Sequence, residues 1–155
     1  MNKLSKIVLA GSCILLPLAL TLTAMSAWAE APRRYINSDP ADKRPFSQAV
    51  LVRDTLYLAG ALGVDKAGQV PADPKAEIKL VLDNIKKTVE SSGFKMDDMV
   101  SVQIFCSDLA LYDTFNEIYR TYFHDHFPAR AFLGTDKLLR GAHFEVMGIA
   151  VKDPH

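Results

Sequence analysis

The sequence predicts an α+β domain, a mixed β-sheet with two helices on one of its faces. Three observations carry this expectation. Runs with two-residue and 3.6-residue periodicity follow one another in the order ββαβαββ. Only two of them have helical spacing, too few to cover both faces of a sheet. The final run, 143–151, nevertheless has apolar side chains on both faces, Phe144, Val146 and Ala150 against Met147, Ile149 and Val151. A sheet that is apolar on both faces but helix-covered on one needs a further layer, and another copy of the same chain is the simplest. The sequence therefore predicts an oligomer.

Each element has its own signal. Residues 48–52 and 55–59 are short β-type runs on either side of Arg53-Asp54, the pattern of a hairpin. The stretch 60–74, punctuated by Gly and Pro, predicts a long loop. Asp73 before Pro74 opens a helix, with a side-chain acceptor at the N-cap and proline at the first helical position. Ile78, Val81, Leu82, Ile85 and Val89 repeat at three and four residues, and Gly93 is placed to end the helix. Residues 100–106 alternate, with Val100, Val102, Ile104 and Cys106 on one face and Ser101, Gln103 and Phe105 on the other, which predicts a strand. A second helix is expected over about 111–123, with Tyr112, Phe115, Tyr119 and Tyr122 as an aromatic stripe facing the core. Strands at 129–134 and 143–151 complete the set.

Residues 1–29 differ in kind from the rest. They hold two Lys, no acidic residue and 19 hydrophobic residues. Lys3 and Lys6 precede an apolar run over 7–22, and Ala27-Trp28-Ala29 offers the small residues a signal peptidase accepts. The expectation is a signal peptide cleaved after Ala29, leaving a periplasmic or secreted protein with no stable membrane association. Cys13 is one residue out of register for a lipidation box. The 126 residues that remain carry 16 basic and 18 acidic side chains, a net charge of −2. That balance argues against a nucleic-acid partner, which calls for a basic surplus. Residues 30–44 are polar and read as a loosely held arm before a domain at 45–155.

After cleavage Cys106 is the one thiol, so no disulfide forms within the chain. It reads as a small buried hydrophobe on a strand rather than a nucleophile. His124 and His126 form an H-x-H without the further ligands a metal needs, so no metal site is expected. Two charges stand out. Arg130 in Phe127-Pro128-Ala129-Arg130-Ala131-Phe132 and Glu145 in Phe144-Glu145-Val146 each interrupt an apolar strand. Such charges are costly to bury unless paired or functional, and spacing alone leaves open a structural ion pair, charges that each face water at a sheet edge, and a functional pair.

The same residues carry a resemblance. Pro45-Phe46-Ser47-Gln48-Ala49, Leu58-Ala59-Gly60 and Leu82-Asp83-Asn84-Ile85 resemble the landmarks of the Rid (reactive intermediate deaminase) family, whose members are also labelled L-PSP endoribonucleases. Asn116-Glu117-Ile118-Tyr119, Phe127-Pro128-Ala129-Arg130 and Phe144-Glu145-Val146 continue it in the same order, and it spans about 45–151. The resemblance implies a homotrimer of chorismate-mutase-like subunits with a ligand cleft at each subunit interface. By it, Arg130 holds the carboxylate of a 2-imino or 2-oxo acid and Glu145 orients the hydrolytic water. Asn116 lines the cleft, Gly60 supplies a backbone contact, and Phe46 and Phe132 stand where members have Tyr and Cys. Ala59 and Ala61 likewise replace Ser and Gln, so the cleft keeps its two charges in more apolar surroundings.

The implied activity is hydrolytic deamination of reactive 2-imino or enamine acids to 2-oxo acids and ammonia, without a cofactor. A guanidinium grips a carboxylate through two parallel hydrogen bonds, and a carboxylate opposite positions water. The alternative is a non-catalytic trimer that binds small carboxylates, and a ribonuclease is the weakest reading because the charge is near neutral.

Overall fold

The computed structural model describes residues 32–37, 41 and 43–153. The expected signal peptide at 1–29 and the tail residue His155 lie outside the described residues. Within this unit the strands are β1 (Arg34–Ile36), β2 (Ala49–Val52), β3 (Thr55–Leu62), β4 (Met99–Cys106), β5 (Ala129–Gly134) and β6 (Phe144–Val151), and the helices are α1 (Pro74–Ser91) and α2 (Tyr112–Tyr119). They form one six-stranded sheet in the order β1-β2-β3-β6-β4-β5. Only β4 and β5 pair in parallel, joined by the crossover through α2, so the sheet is mixed as expected. Among the described residues no helix is long and apolar enough to cross a membrane.

Local chemistry explains most element boundaries. Asp73 caps α1 by accepting the Lys75 N–H at 3.1 Å. The stripe Ile78, Val81, Leu82, Ile85 and Val89 is fully buried. Gly93 has φ 86°, a left-handed conformation that only Gly adopts freely, and Phe94 N–H returns to the Val89 carbonyl at 3.1 Å. Arg53 takes φ 53° in the turn between β2 and β3. Asn84, half-buried beside the stripe, donates to the carbonyls of Leu62 and Val64 at 3.0 and 3.3 Å, tying α1 to the end of β3.

Four expectations change. The arm at 30–44 contributes β1, which pairs with β2 (Arg34 opposite Leu51), so part of it is held by the sheet. The loop expected from residue 60 begins later, because β3 runs to Leu62 against β6. A register shift between Met99 and Ser101 turns Val100 outward, 47% exposed, and makes Met99 the buried residue. The second helix is α-helical only over Tyr112–Tyr119 and is flanked by single 3₁₀ turns.

The core lies between the helices and one face of the sheet. Leu56, Leu58, Val102, Ile104, Phe144, Val146 and Ala150 meet the α1 stripe and Phe115 there. In the central strand β6, Phe144, Val146 and Ala150 are buried under the helices, while Met147, Ile149 and Val151 on the other face are only partly covered in the single chain. The face away from the helices has Tyr57, Phe105, Met147, Ile149 and Leu133 in adjacent register.

Candidate functional site

Arg130 lies opposite Val102 on β5 and so shares the helix-covered face with that buried residue. At the sheet edge its guanidinium reaches three rings of this layer. The carbon Cζ is 4.9 Å from the Tyr119 centroid, 5.8 Å from Tyr112 and 5.9 Å from Phe132. Nη2 also approaches the Tyr112 hydroxyl at 3.5 Å. The rings stabilise the cation, and a guanidinium carries N–H donors in a planar fork that suits a carboxylate.

Those donors border an open cleft of about 290 Å³ lined by Asn116, Tyr119, Arg120, Phe127, Pro128 and Arg130. Helical spacing brings Asn116, Tyr119 and Arg120 to one side of α2. The sequence-predicted residues Arg130 and Asn116 therefore meet. Phe132 does not line this cleft. It packs edge-on against Tyr112 and Phe115, at 5.0 and 5.5 Å between centroids, as backing for the arginine. Tyr119 is 3% exposed, and among the described residues its hydroxyl has no hydrogen-bond partner. Burial pushes the phenol up to about 12 against the pull of Arg130, so it stays protonated.

Glu145 has a different address. It lies opposite Phe105 of β4 and Leu62 of β3, on the face away from the helices. Its carboxylate rests against Gly60, in the space a Cβ would occupy, so a larger residue there would displace it. Phe46, 47% exposed, precedes Gln48, whose carbonyl accepts the Ala59 N–H at 3.0 Å, and this keeps it beside the same stretch of β3. Gly60 and Glu145 thus form a second cluster near Phe46.

Arg130 and Glu145 consequently occupy opposite faces of the sheet and make no ion pair with each other. The structural-pair reading is removed. Among the described residues neither has a carboxylate or cationic partner at ion-pair distance, so both charges remain available.

Cys106 is fully buried and donates to the Asp108 carbonyl at 3.0 Å, and burial raises its thiol above the ordinary range. It is a packing residue. His124 contacts Asp97 through its backbone N–H and Nδ1 at 2.9 and 3.2 Å. Among the described residues no three His, Cys, Asp or Glu side chains gather to hold a metal.

Sequence reasoning missed the aromatic cage and a buried acid, Glu77. The stripe of Tyr112 and Tyr119 was visible, but it reads as core until the register of β5 sets Arg130 beside it. Glu77 precedes Val81 by four residues and so falls on the apolar stripe, a signal that was present and unused.

The model of the endoribonuclease L-PSP family matches residues 36–152. The 2-iminobutanoate/2-iminopropanoate deaminase of Bos taurus is 38% identical over 117 residues, covering 74% of this chain and 85% of that protein. The protein of the same name from Escherichia coli K12 is 35% identical, covering 73% and 91%. Among solved structures, the YjgF gene product of E. coli matches with a TM-score of 0.71 at 33% identity, covering 77% of this chain and 99% of that one. E. coli TdcF, solved with bound serine, matches with a TM-score of 0.72 at 27% identity and the same coverage. With the landmark residues in order, the mixed sheet and its two helices in place, the chain belongs to the Rid family, described also as endoribonuclease L-PSP.

Proposed function

We propose that the protein is a hydrolytic deaminase of 2-imino and enamine acids, working as a homotrimer whose sites are each shared by two copies. The observation that carries this reading is the separation of Arg130 and Glu145 onto opposite faces of one sheet. A site that needs both groups has to take them from different subunits. Arg130 and Asn116 of one copy then face Glu145, Gly60 and Phe46 of the next. Relatives named for imine deamination, and a relative holding an amino acid, support the choice of ligand class.

In this scheme the Arg130 fork binds the substrate carboxylate and fixes the adjacent C=N carbon. Glu145 accepts a proton from water as its oxygen bonds to that carbon and the imine nitrogen gains a proton. Glu145 then returns its proton to the carbinolamine nitrogen, and the hydroxyl gives a proton back to solvent in place of the one the imine nitrogen took from it. The C–N bond breaks to release ammonia and the 2-oxo acid, with Glu145 ionised again. Nothing is oxidised or reduced.

Subunit complementation tests it. Arg130→Ala and Glu145→Gln are each expected to lose about 10²–10⁴ in imine hydrolysis, measured on imines generated by an amino-acid oxidase. Refolded together in equal amounts, they regain about a quarter of parental activity, since one interface in four pairs both intact halves in a ring of randomly mixed copies. No recovery from a verified mixed oligomer rejects the shared site. A parent that binds 2-oxo acids but hydrolyses no imine is instead the non-catalytic carboxylate binder.

The proposed location is periplasmic or secreted, with the mature chain starting at Glu30. Intact mass of the exported protein is expected to lack residues 1–29, and a full-length mass in the soluble cytoplasm rejects it.

A further inference from the structure

Glu77 is the one charged side chain among the described residues that is wholly buried, at 0% exposure. It stands in the first turn of α1, yet its carboxylate serves another element. Oε1 accepts the backbone N–H of His143 at 2.6 Å and of Phe144 at 3.1 Å, and Oε2 meets His143 Nδ1 at 2.7 Å. These are the two residues that immediately precede Glu145. The His143 carbonyl in turn accepts the Ser107 N–H at 3.0 Å, so the segment is also tied to the end of β4.

The same turn of α1 presses on β3. A Cβ on Gly63 would lie 2.6 Å from both the Glu77 Cγ and its carbonyl oxygen. Gly63 follows Leu62, and Leu62 is the residue of β3 paired with Glu145. Glu77 therefore lies against the start of β6 and the residue that follows β3, the two strands that bring Gly60 and Glu145 together. A buried carboxylate with no Lys or Arg beside it is a poor way to fill space, because its desolvation exceeds what packing returns. Three short hydrogen bonds to one segment offset that cost and fix its geometry.

We infer that Glu77 is the positioning residue for Glu145, clamping the start of β6 so that the Glu145 carboxylate stays against Gly60. Its catalytic consequence rests on the deaminase reading, while the clamp itself does not.

The test compares the parent with Glu77→Leu and Glu77→Gln, each as the full oligomer and well below its unfolding temperature. Three quantities are read: kcat and KM for imine hydrolysis, the Kd for pyruvate as a probe of the carboxylate site, and amide hydrogen exchange at residues 143–145. In Glu77→Leu exchange at those amides rises and kcat falls about tenfold or more, with KM and the pyruvate Kd within about twofold. Glu77→Gln keeps one acceptor but loses the charge-assisted bonds, and falls between the parent and the Leu variant. A purely structural role lowers stability and leaves kcat in the folded protein unchanged.

A folded Leu variant with parental kcat or parental exchange overturns the assignment. If the Leu variant does not fold, parental values of both quantities in Glu77→Gln overturn it. If the parent shows no imine turnover, the deaminase reading fails on its own, and exchange at 143–145 still decides the clamp.

Discussion

At the scale of single residues, Gly60 and Glu145 show how contact sets chemistry. Gly60 carries no special backbone angle, and its constraint is the carboxylate lying where a Cβ would be. Gly60→Ala moves the far end of a flexible side chain, so the fold loses no more than about 1.5 kcal/mol, the scale of an off-rotamer displacement. In the proposed mechanism the shifted carboxylate no longer addresses the water, and imine hydrolysis is expected to fall about 10–100-fold. Steady-state kinetics beside thermal unfolding checks it, and parental kcat in the Ala variant removes Glu145 from the reaction. Arg130 and Glu145 were both legible as charges in apolar strands. Their separation was not, because it depends on pairing across the sheet. Val102 opposite Arg130 and Phe105 opposite Glu145 settle the faces.

At the scale of elements, what was legible followed from local signals. The start and end of α1 rest on Asp73, Pro74 and Gly93, all within or beside the helix, and these matched. Strand β1 has three residues with Arg34 and Tyr35 exposed, so no alternation marks it and only pairing with β2 creates it. The outward turn of Val100 has a similar origin. Alternation alone sets it inward, but the irregularity between Met99 and Ser101 resets the pattern. Gly148 on β6 sits beside this irregularity, where a Cβ would come within 2.5 Å of the Ser101 carbonyl oxygen and of Met99 Cε. Backbone cannot swing aside as a side chain does. Gly148→Ala is therefore expected to destabilise the protein by about 1–3 kcal/mol, the usual cost of overpacking. Denaturant unfolding at fixed protein concentration measures this, and an unchanged midpoint rejects the close approach.

At the scale of the whole molecule, one feature links assembly to function. The helices and one sheet face enclose the core, while Tyr57, Phe105, Met147, Ile149 and Leu133 line the other face in adjacent register. Tyr57 is 48% and Leu133 42% exposed in the single chain. A largely apolar face of this kind, interrupted by Ser101, Gln103 and Glu145, marks an interface. The proposed trimer covers it with other copies, and the same contact supplies Glu145 with the arginine its own subunit holds on the far side. Ile149 is suited to separate folding from assembly. It pairs with Tyr57 and Ser101 on the open face and has no place among the buried core residues. Ile149→Lys leaves the ammonium in water in a single subunit, where a surface change costs little. In an apolar interface the same charge is desolvated without a partner, a penalty of several kcal/mol at each contact. The expected product is a folded monomer by light scattering, with parental helix content by circular dichroism. If each site is shared by two copies as proposed, its imine hydrolysis falls to background although Arg130, Asn116, Gly60 and Glu145 are all intact. A monomer that retains turnover rejects the shared site, and an undisturbed oligomer rejects this face as the contact.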